Sequence, residues 1–252
     1  MILAITNQKG GVGKSTTAHA LGAGLFYKKF RVLFVDLDPQ GNLSYAMNAD
    51  VTKDLSSYNL LTTKGQIIEI VQRTSIGDIV PASPLLSRAD IELDTVGKEY
   101  KLKEALASVR NNYDYILIDT PPALSILTVN ALVAADEIII PAQADIFSLQ
   151  GIGQLYNTIE TVKKYCNPTL QIKGILLTRH NSRTILSRDL TDTISHTATK
   201  LQSKIFKTVI RENISLKEAQ ANQQDIFTYA PTSNAAYDYN KLINELLESE
   251  VL

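Results

Sequence analysis

Three apolar runs in this chain lack the alternation expected of a strand that faces water on one side. They are Val32–Val35, Ile116–Ile118 and Ile138–Ile140. Such runs are typical of parallel strands that helices cover on both faces. We therefore expect an α/β fold with a doubly wound, mostly parallel sheet flanked by helices.

Strand-like runs alternate with helical patterns along the chain. The predicted strands are Ile2–Thr6, Arg31–Asp36, Ile76–Pro81, Tyr115–Asp119, Glu137–Pro141, Ile172–Thr178 and Ile205–Ile210. The predicted helices lie near residues 15–29, 84–93, 99–111, 125–135, 149–165, 185–202 and 233–248. No Pro-, Gly- or Ser-rich linker divides this order, and 252 residues suit one core. We expect a single domain over residues 1–252, with no N-terminal helix-turn-helix.

Composition excludes several classes of protein. A hydrophobic content of 44% is too high for a disordered chain, and a net charge of -1 excludes a globally basic nucleic-acid binder. Cys166 is the one cysteine, which excludes an intrachain disulfide and a cysteine-rich metal site and favours a cytoplasmic setting. No apolar run reaches the roughly 18 residues of a membrane span.

A glycine-rich segment joins the first predicted strand to the first predicted helix. It reads Lys9-Gly10-Gly11-Val12-Gly13-Lys14-Ser15-Thr16 and nearly fits the P-loop pattern, except that Gln8 replaces the first glycine. The glycines let backbone N–H groups turn toward phosphate oxygens, and the following helix N-terminus favours negative charge. Lys14 would reach the β- and γ-phosphates and Ser15 would ligate Mg²⁺. The segment predicts a nucleotide-binding loop.

Two aspartates follow predicted strands that should end beside this loop. Asp38 comes directly after a buried strand, and Asp119 ends one as a Walker B aspartate does. Asp119 would act on Mg²⁺ through water, and Asp36 would lie near the metal site without contacting the ion. The alternatives are an Asx turn before Pro39 for Asp38 and a strand-end cap for Asp119.

The spelling of the loop resembles the deviant Walker A box of the ParA/MinD ATPases, most closely that of the short Soj-type ParA proteins. The resemblance includes Ile5–Gln8, Val35–Asn42 and Ile118–Pro122. It implies that Lys9 crosses a dimer interface to the partner's ATP and that Asp38 orients the attacking water. The catalytic set it implies is Lys9, Lys14, Asp38 and Asp119, with Ser15, Asp38 and Asp119 serving Mg²⁺. The ATP-binding set is Lys9, Gly10, Gly11, Val12, Gly13, Lys14, Ser15, Thr16, Arg179, Pro231 and Asn234, with Pro231 the main base contact.

The same resemblance implies a DNA-partitioning ATPase. ATP would drive dimerisation and non-specific DNA binding, and a ParB-type partner would stimulate a slow hydrolysis that releases the DNA. The protein would be cytoplasmic and would associate with the nucleoid when ATP is bound.

The segment Gly174–Lys217 is the expected DNA-binding region. It holds eight Lys and Arg residues against three Asp and Glu residues. Arg183 matches the family's DNA-binding arginine, and the further candidates are Arg188, Lys200, Lys204, Lys207, Arg211 and Lys217. The family often has a proline and two arginines where this chain has Val209–Ser215, so its full DNA footprint does not carry over. The alternative is an ordinary solvated helix face.

Two other functions compete with this prediction. A MinD-like membrane ATPase would need a basic amphipathic C-terminal helix, whereas Asn240–Glu250 is acidic and is better interpreted as a helix packed on the body. A nucleotide-gated scaffold would bind ATP without hydrolysing it. A phosphate-release assay separates this scaffold from an ATPase.

Overall fold

The computed structural model describes residues 1–52, 55–62, 65–180, 193–194, 198–199 and 203–249. The strands are β1 (Ile2–Ile5), β2 (Val32–Asp36), β3 (Gln72–Thr74), β4 (Gly77–Val80), β5 (Tyr115–Asp119), β6 (Glu137–Ala142) and β7 (Gln171–Leu177). They form one seven-stranded sheet in the order β3-β4-β2-β5-β1-β6-β7. The edge pair β3–β4 is antiparallel and the remaining pairs of this sheet are parallel. The predicted mostly parallel sheet is confirmed.

Helices follow most of the strands. They are α1 (Lys14–Tyr27), α2 (Asn42–Ala46), α3 (Ser57–Thr62), α4 (Ile67–Ile70), α5 (Ala89–Glu92), α6 (Lys101–Ala107), α7 (Ile126–Ala134), α8 (Ile146–Tyr165), α9 (Ile214–Ala221), α10 (Ile226–Tyr229) and α11 (Asn234–Glu248). Short 3₁₀ turns at Pro84–Arg88, Lys98–Tyr100 and Arg110–Asn112 shorten two of the helices that the sequence predicted as continuous. The predicted helix at 185–202 falls almost wholly outside the described residues.

The sheet has an apolar layer on each face. Alternate residues of one strand enter different layers, as Leu33 and Val35 do on one side of β2 and Val32 and Phe34 do on the other. Helices α6, α7 and α8 cover the first face, and α1 and α11 cover the second. Burial on both faces is why the central strands carry no polar alternation.

The segment 205–210 was predicted as a strand and does not form one. It makes a single parallel bridge from Ile205 to Ile175, and the N–H of Ile210 donates to the carbonyl of Leu177 (2.8 Å). Between these points the N–H groups of Lys207 and Thr208 donate to the carboxylate of Glu245, at 2.7 and 2.9 Å. Because α11 takes these two donors, the ladder is interrupted and the segment is tied to that helix.

The last helix packs on the body, as its acidic sequence suggested. Leu242, Ile243 and Leu246 of α11 are fully buried in the layer that includes α1. Its apolar face is therefore used inside the protein. Among the residues described, no helix has both the length and the apolar character that crossing a membrane requires.

Candidate nucleotide site

The glycine-rich segment lies at the carboxyl end of β1, and neighbouring elements hold its backbone. Gly11 and Gly13 have φ angles of 76° and 87°, which favour glycine, and Gly13 is the N-cap of α1. The Thr178 hydroxyl donates to the carbonyl of Val12 (2.8 Å), and the Gln143 amide donates to that of Gly11 (3.1 Å). The loop is thus fixed by the ends of β6 and β7 before any ligand arrives.

Lys14 begins α1 and lies inside the loop. Its side chain is 7% exposed, and Nζ donates to the carbonyl of Lys9 at 3.3 Å. Burial lowers the pKa of Lys14, and the negative charges of Asp119 and Asp38 oppose that shift. The ammonium group is therefore held beside the loop with acidic neighbours and is placed to meet an anion.

Three aspartates converge behind the loop. Asp36 ends β2 and is the register partner of Asp119, which ends β5. Asp36 accepts from the N–H and hydroxyl of Ser44 (2.8 and 2.7 Å), yet burial raises its pKa to about 6. Asp38 is 6% exposed and accepts from the N–H of Gln40 (3.0 Å), so the Asx turn is present while the side chain also lines the cleft.

Asp119 is the least satisfied of these groups. It is fully buried, and neither carboxylate oxygen has a hydrogen-bond partner of good geometry among the described residues. Burial raises its pKa well above the usual value, and the charge of Asp36 adds to the shift, while the Ser15 hydroxyl and Lys14 oppose it. A buried carboxylate in this state favours a cation or a donor close by.

The donor set fits a magnesium ion that arrives with a nucleotide. No group of three His, Cys, Asp or Glu side chains within the described ranges could hold a metal ion alone. Mg²⁺ commonly takes only one or two carboxylates and completes its shell with water and phosphate oxygens. Ser15 and Asp38 line the cleft and Asp119 lies behind it, so these side chains are the candidates to hold the ion, which would neutralise phosphate charge.

Lys9 points away from the cleft in which Lys14 lies. The cleft is lined by Gly10, Gly11, Gly13, Lys14, Ser15, Thr16, Asp38, Gln40, Asn42, Tyr45, Pro122, Gln220 and Ala221, and Lys9 is not among them. Its ammonium instead forms an ion pair with Asp145 and approaches Oε1 of Gln143 (3.4 Å). Asp145 is the N-cap of α8 and accepts from the N–H of Ser148 (2.9 Å). The two loop lysines therefore have different surroundings.

A second cavity adjoins the loop and is the candidate pocket for the base. Its lining residues are Gly11, Gly13, Thr16, Thr178, Arg179, Ile210, Arg211, Glu212, Asn213, Leu216, Lys217, Gln220 and Tyr239. Two ion pairs stand on its wall, Arg179 with Glu212 (2.7 Å) and Arg211 with Asp238 (2.6 Å). Sequence reasoning named Arg179 here but missed Glu212, Asn213 and Tyr239, since no local motif marks them.

The sequence predicts Pro231 and Asn234 as base contacts, and the structure places both outside the lining of this cavity. Both are exposed and neither lines the cavity beside the loop, because Asn234 starts α11 behind the Ser233 cap while the segment 210–216 forms the cavity wall. Their part in nucleotide binding stays a prediction.

The predicted DNA contacts fall into three groups. Lys204, Lys207 and Lys217 are exposed and form no ion pair with the described part of the chain. Arg211 pairs with the carboxylate of Asp238 at 2.6 Å, so its guanidinium already has an acidic partner, and its role as a DNA contact stays a prediction. Arg183, Arg188 and Lys200 lie outside the described residues.

Replacing Asp119 tests the cation requirement. We expect Asp119→Asn to raise the free energy of unfolding of the nucleotide-free protein by about 1–2 kcal/mol, because it removes a buried and poorly satisfied charge. We also expect it to abolish the extra thermal stabilisation that Mg²⁺ gives over ATP alone. Thermal unfolding with ATP, with and without Mg²⁺, measures both effects.

Asp114→Asn is the matched control, because Asp114 precedes the opposite end of β5 and pairs with Arg31 (2.8 Å). The Mg²⁺-dependent rise should survive in this control. If Asp119→Asn keeps the same rise, then Asp119 does not serve the metal.

Known proteins resemble this chain over nearly its full length. The family model described as an AAA domain matches residues 1–172. The chain is 43% identical over 251 residues to the sporulation initiation inhibitor protein Soj of Bacillus subtilis, with 97% of each chain covered. It is 39% identical over 248 residues to the chromosome-partitioning ATPase Soj of Treponema pallidum, covering 97% of this chain and 96% of that one.

Solved structures share the fold. A cobyrinic acid a,c-diamide synthase from Mycobacterium smegmatis, with bound ADP and magnesium, has a TM-score of 0.85 and 34% identity, covering 98% of this chain and 93% of that chain. The ATP complex of McdA from Cyanothece has a TM-score of 0.87 and 25% identity, covering 97% of this chain and 95% of that chain.

Proposed function

The chain belongs to the Soj/ParA family of partitioning ATPases, and on that premise we propose that an ATP-dependent dimer of it carries DNA. It is an ATPase that uses ATP with Mg²⁺. In the finer proposal, each Lys9 contacts the ATP of the partner subunit, and the dimer binds DNA without reading its sequence. Because the ATP-bound dimer binds DNA, this form associates with the nucleoid. A ParB-type partner stimulates hydrolysis and thereby releases the DNA.

The position of Lys9 is the observation that carries this proposal. Lys14 already supplies a buried ammonium group inside the cleft, whereas Lys9 is held outside it by Asp145. The two side chains are 26% and 31% exposed, and ion pairs that solvent reaches contribute about 0–1 kcal/mol, so a triphosphate can displace this one. A lysine that is loosely held at the edge of the loop suits a contact with a second molecule.

The roles inside the cleft follow from charge and position. Lys14 would bind the β- and γ-phosphates, and Asp38 would orient the attacking water. Ser15, Asp38 and Asp119 would hold Mg²⁺, which brings positive charge to the phosphates. The backbone N–H groups from Gly10 to Thr16 would cradle the phosphate chain.

DNA binding tests the function directly. We expect wild-type protein with ATP to bind a random-sequence duplex, and we expect Arg183→Glu to abolish this binding while ATP binding persists. Lys204→Glu and Lys207→Glu should each weaken it. Each phosphate contact adds about -0.9 to the slope of log affinity against log salt concentration. Charge reversal at both lysines should therefore make this slope less steep. Duplex retention at two salt concentrations provides the measurement.

Lys103→Glu is the charge-matched control, because Lys103 is exposed on α6 and lies outside the basic segment Gly174–Lys217. It should retain DNA binding. If wild type, Arg183→Glu and Lys103→Glu bind DNA equally well, then the basic segment is a solvated surface without a role in DNA binding.

A further inference from the structure

The junction between the two cavities holds two hydrogen-bonded polar side chains, Thr16 and Gln220, to which the proposed function gives no role. Gly11, Gly13, Thr16 and Gln220 are the residues that line both the cleft and the adjoining cavity. We propose that Gln220 of α9 is a nucleotide-positioning residue that orients the Thr16 hydroxyl toward the phosphate chain and offers its own amide oxygen to the sugar. The inference rests on the proposed function, since it needs a nucleoside triphosphate in the cleft.

Position argues for a sugar and α-phosphate at this junction. A nucleotide with its β- and γ-phosphates at Lys14 and its base in the adjoining cavity must cross from one space to the other. Thr16 and Gln220 stand on that path, and the remaining shared residues are glycines without side chains. These two side chains are therefore the polar groups placed to recognise the middle of the nucleotide.

The direction of the Gln220–Thr16 hydrogen bond leaves the hydroxyl proton of Thr16 and Oε1 of Gln220 available to a ligand. Nε2 of Gln220 donates to Oγ1 of Thr16 at 2.9 Å. The Thr16 oxygen is the acceptor, so its own hydroxyl proton is not spent in this bond, and it has no acceptor within the described ranges. Oε1 of Gln220 likewise accepts no hydrogen bond there. The pair thus presents one donor, which suits a phosphate oxygen, and one acceptor, which suits a ribose hydroxyl.

Helix α9 holds Gln220 in this place. Asn213 caps the helix by accepting from the N–H of Ser215 (2.9 Å), and Ala219 is buried against the body. Leu216 and Lys217 lie one turn before Gln220 and line the base cavity with it. Lys217 adds positive charge to the same wall, which further favours an anionic ligand.

A purely structural role for Gln220 makes a different prediction. A tether between α9 and α1 would affect unfolding and would leave nucleotide affinity alone. A positioning role would raise the dissociation constants of ATP and ADP together, because both contain the sugar and the α-phosphate. It would leave kcat at saturating ATP unchanged, since the contact is equal in the ground and transition states.

The test measures ATP and ADP affinity of Gln220→Leu and Gln220→Glu. We expect Gln220→Leu to raise both dissociation constants about three- to tenfold, the usual effect of one hydrogen bond. Gln220→Glu has the same shape but cannot donate to Thr16 and repels phosphate, so its loss should exceed tenfold. Gln224→Leu and Gln224→Glu are matched controls, because Gln224 is exposed and lines neither space. They should change affinity less than twofold.

A double-mutant cycle with Thr16→Ala decides whether Gln220 acts through Thr16. We expect Gln220→Leu to cost clearly less affinity in the Thr16→Ala background than in the wild type. Unchanged affinity of both Gln220 variants, or full additivity with Thr16→Ala, would overturn the inference. If wild type itself binds no ATP, or Lys14→Ala binds it equally well, the proposed function fails instead. Unfolding of each variant without nucleotide shows whether it folds.

Discussion

Lys14→Ala should lose ATP affinity by about 100-fold, the largest effect on ATP binding that we expect from a single substitution. The variant removes the charge-assisted contact that we propose for Lys14 with the β- and γ-phosphates, and such hydrogen bonds are worth about 1.5–3 kcal/mol. Lys14 is 7% exposed inside the loop, and the other lysine of the loop, Lys9, pairs with Asp145 outside the cleft. Equilibrium titration with a fluorescent ATP analogue provides the measurement.

The Lys14 variants also need a check on folding. Lys14 is the positive charge that faces Asp119 and Asp38, and its loss leaves these carboxylates less compensated. Lys14→Gln retains more of the side-chain volume, and its thermal unfolding shows whether the fold survives. Lys103→Ala should bind ATP as wild type does. An affinity of Lys14→Gln within a factor of two of wild type would contradict the phosphate-loop assignment.

The central sheet was predictable because its strands have a simple physical signature. Val32–Val35 and Ile116–Ile118 are apolar without a break, and this pattern arises when both faces of a strand are buried. The edge strand β3 has the sequence Gln-Arg-Thr and is partly exposed, so it carries no such signal. The predicted strand at 205–210 does not form because the carboxylate of Glu245 accepts two of its N–H groups. This contact joins distant parts of the chain, so no local pattern predicts it.

The candidate site likewise has some residues that the sequence predicts and some contacts that it does not. Lys14, Asp38 and Asp119 could be found because each stands at a fixed place after a predicted strand, and parallel strands end at one edge of the sheet. The Lys9–Asp145 pair joins residues 136 positions apart, and Gln220 meets Thr16 over 204 positions. Such contacts depend on how α8 and α9 pack, and a single sequence contains no local pattern for that packing.

Lys9→Ala should bind ATP and remain a monomer, whereas the wild type should dimerise with ATP. The loss follows if Lys9 supplies charge to the partner's triphosphate, because its own cleft keeps Lys14. Both proteins also carry Asp38→Ala, which we expect to stop hydrolysis, so that turnover of ATP does not obscure the result. Sedimentation velocity with and without ATP measures the fraction of dimer, and Lys163→Ala on α8 serves as the matched control.

Asp145→Asn gives the opposite prediction and sharpens the test. The amide can still cap α8 through its oxygen, so the helix start is preserved while the charge that holds Lys9 is removed. A freed Lys9 has a smaller barrier to reaching a second subunit, so this variant should dimerise at the same or a lower ATP concentration. A Lys9→Ala protein that dimerises normally but binds ATP weakly would show that Lys9 serves the phosphates of its own subunit. The Asp145 ion pair would then be a surface contact without a role in assembly.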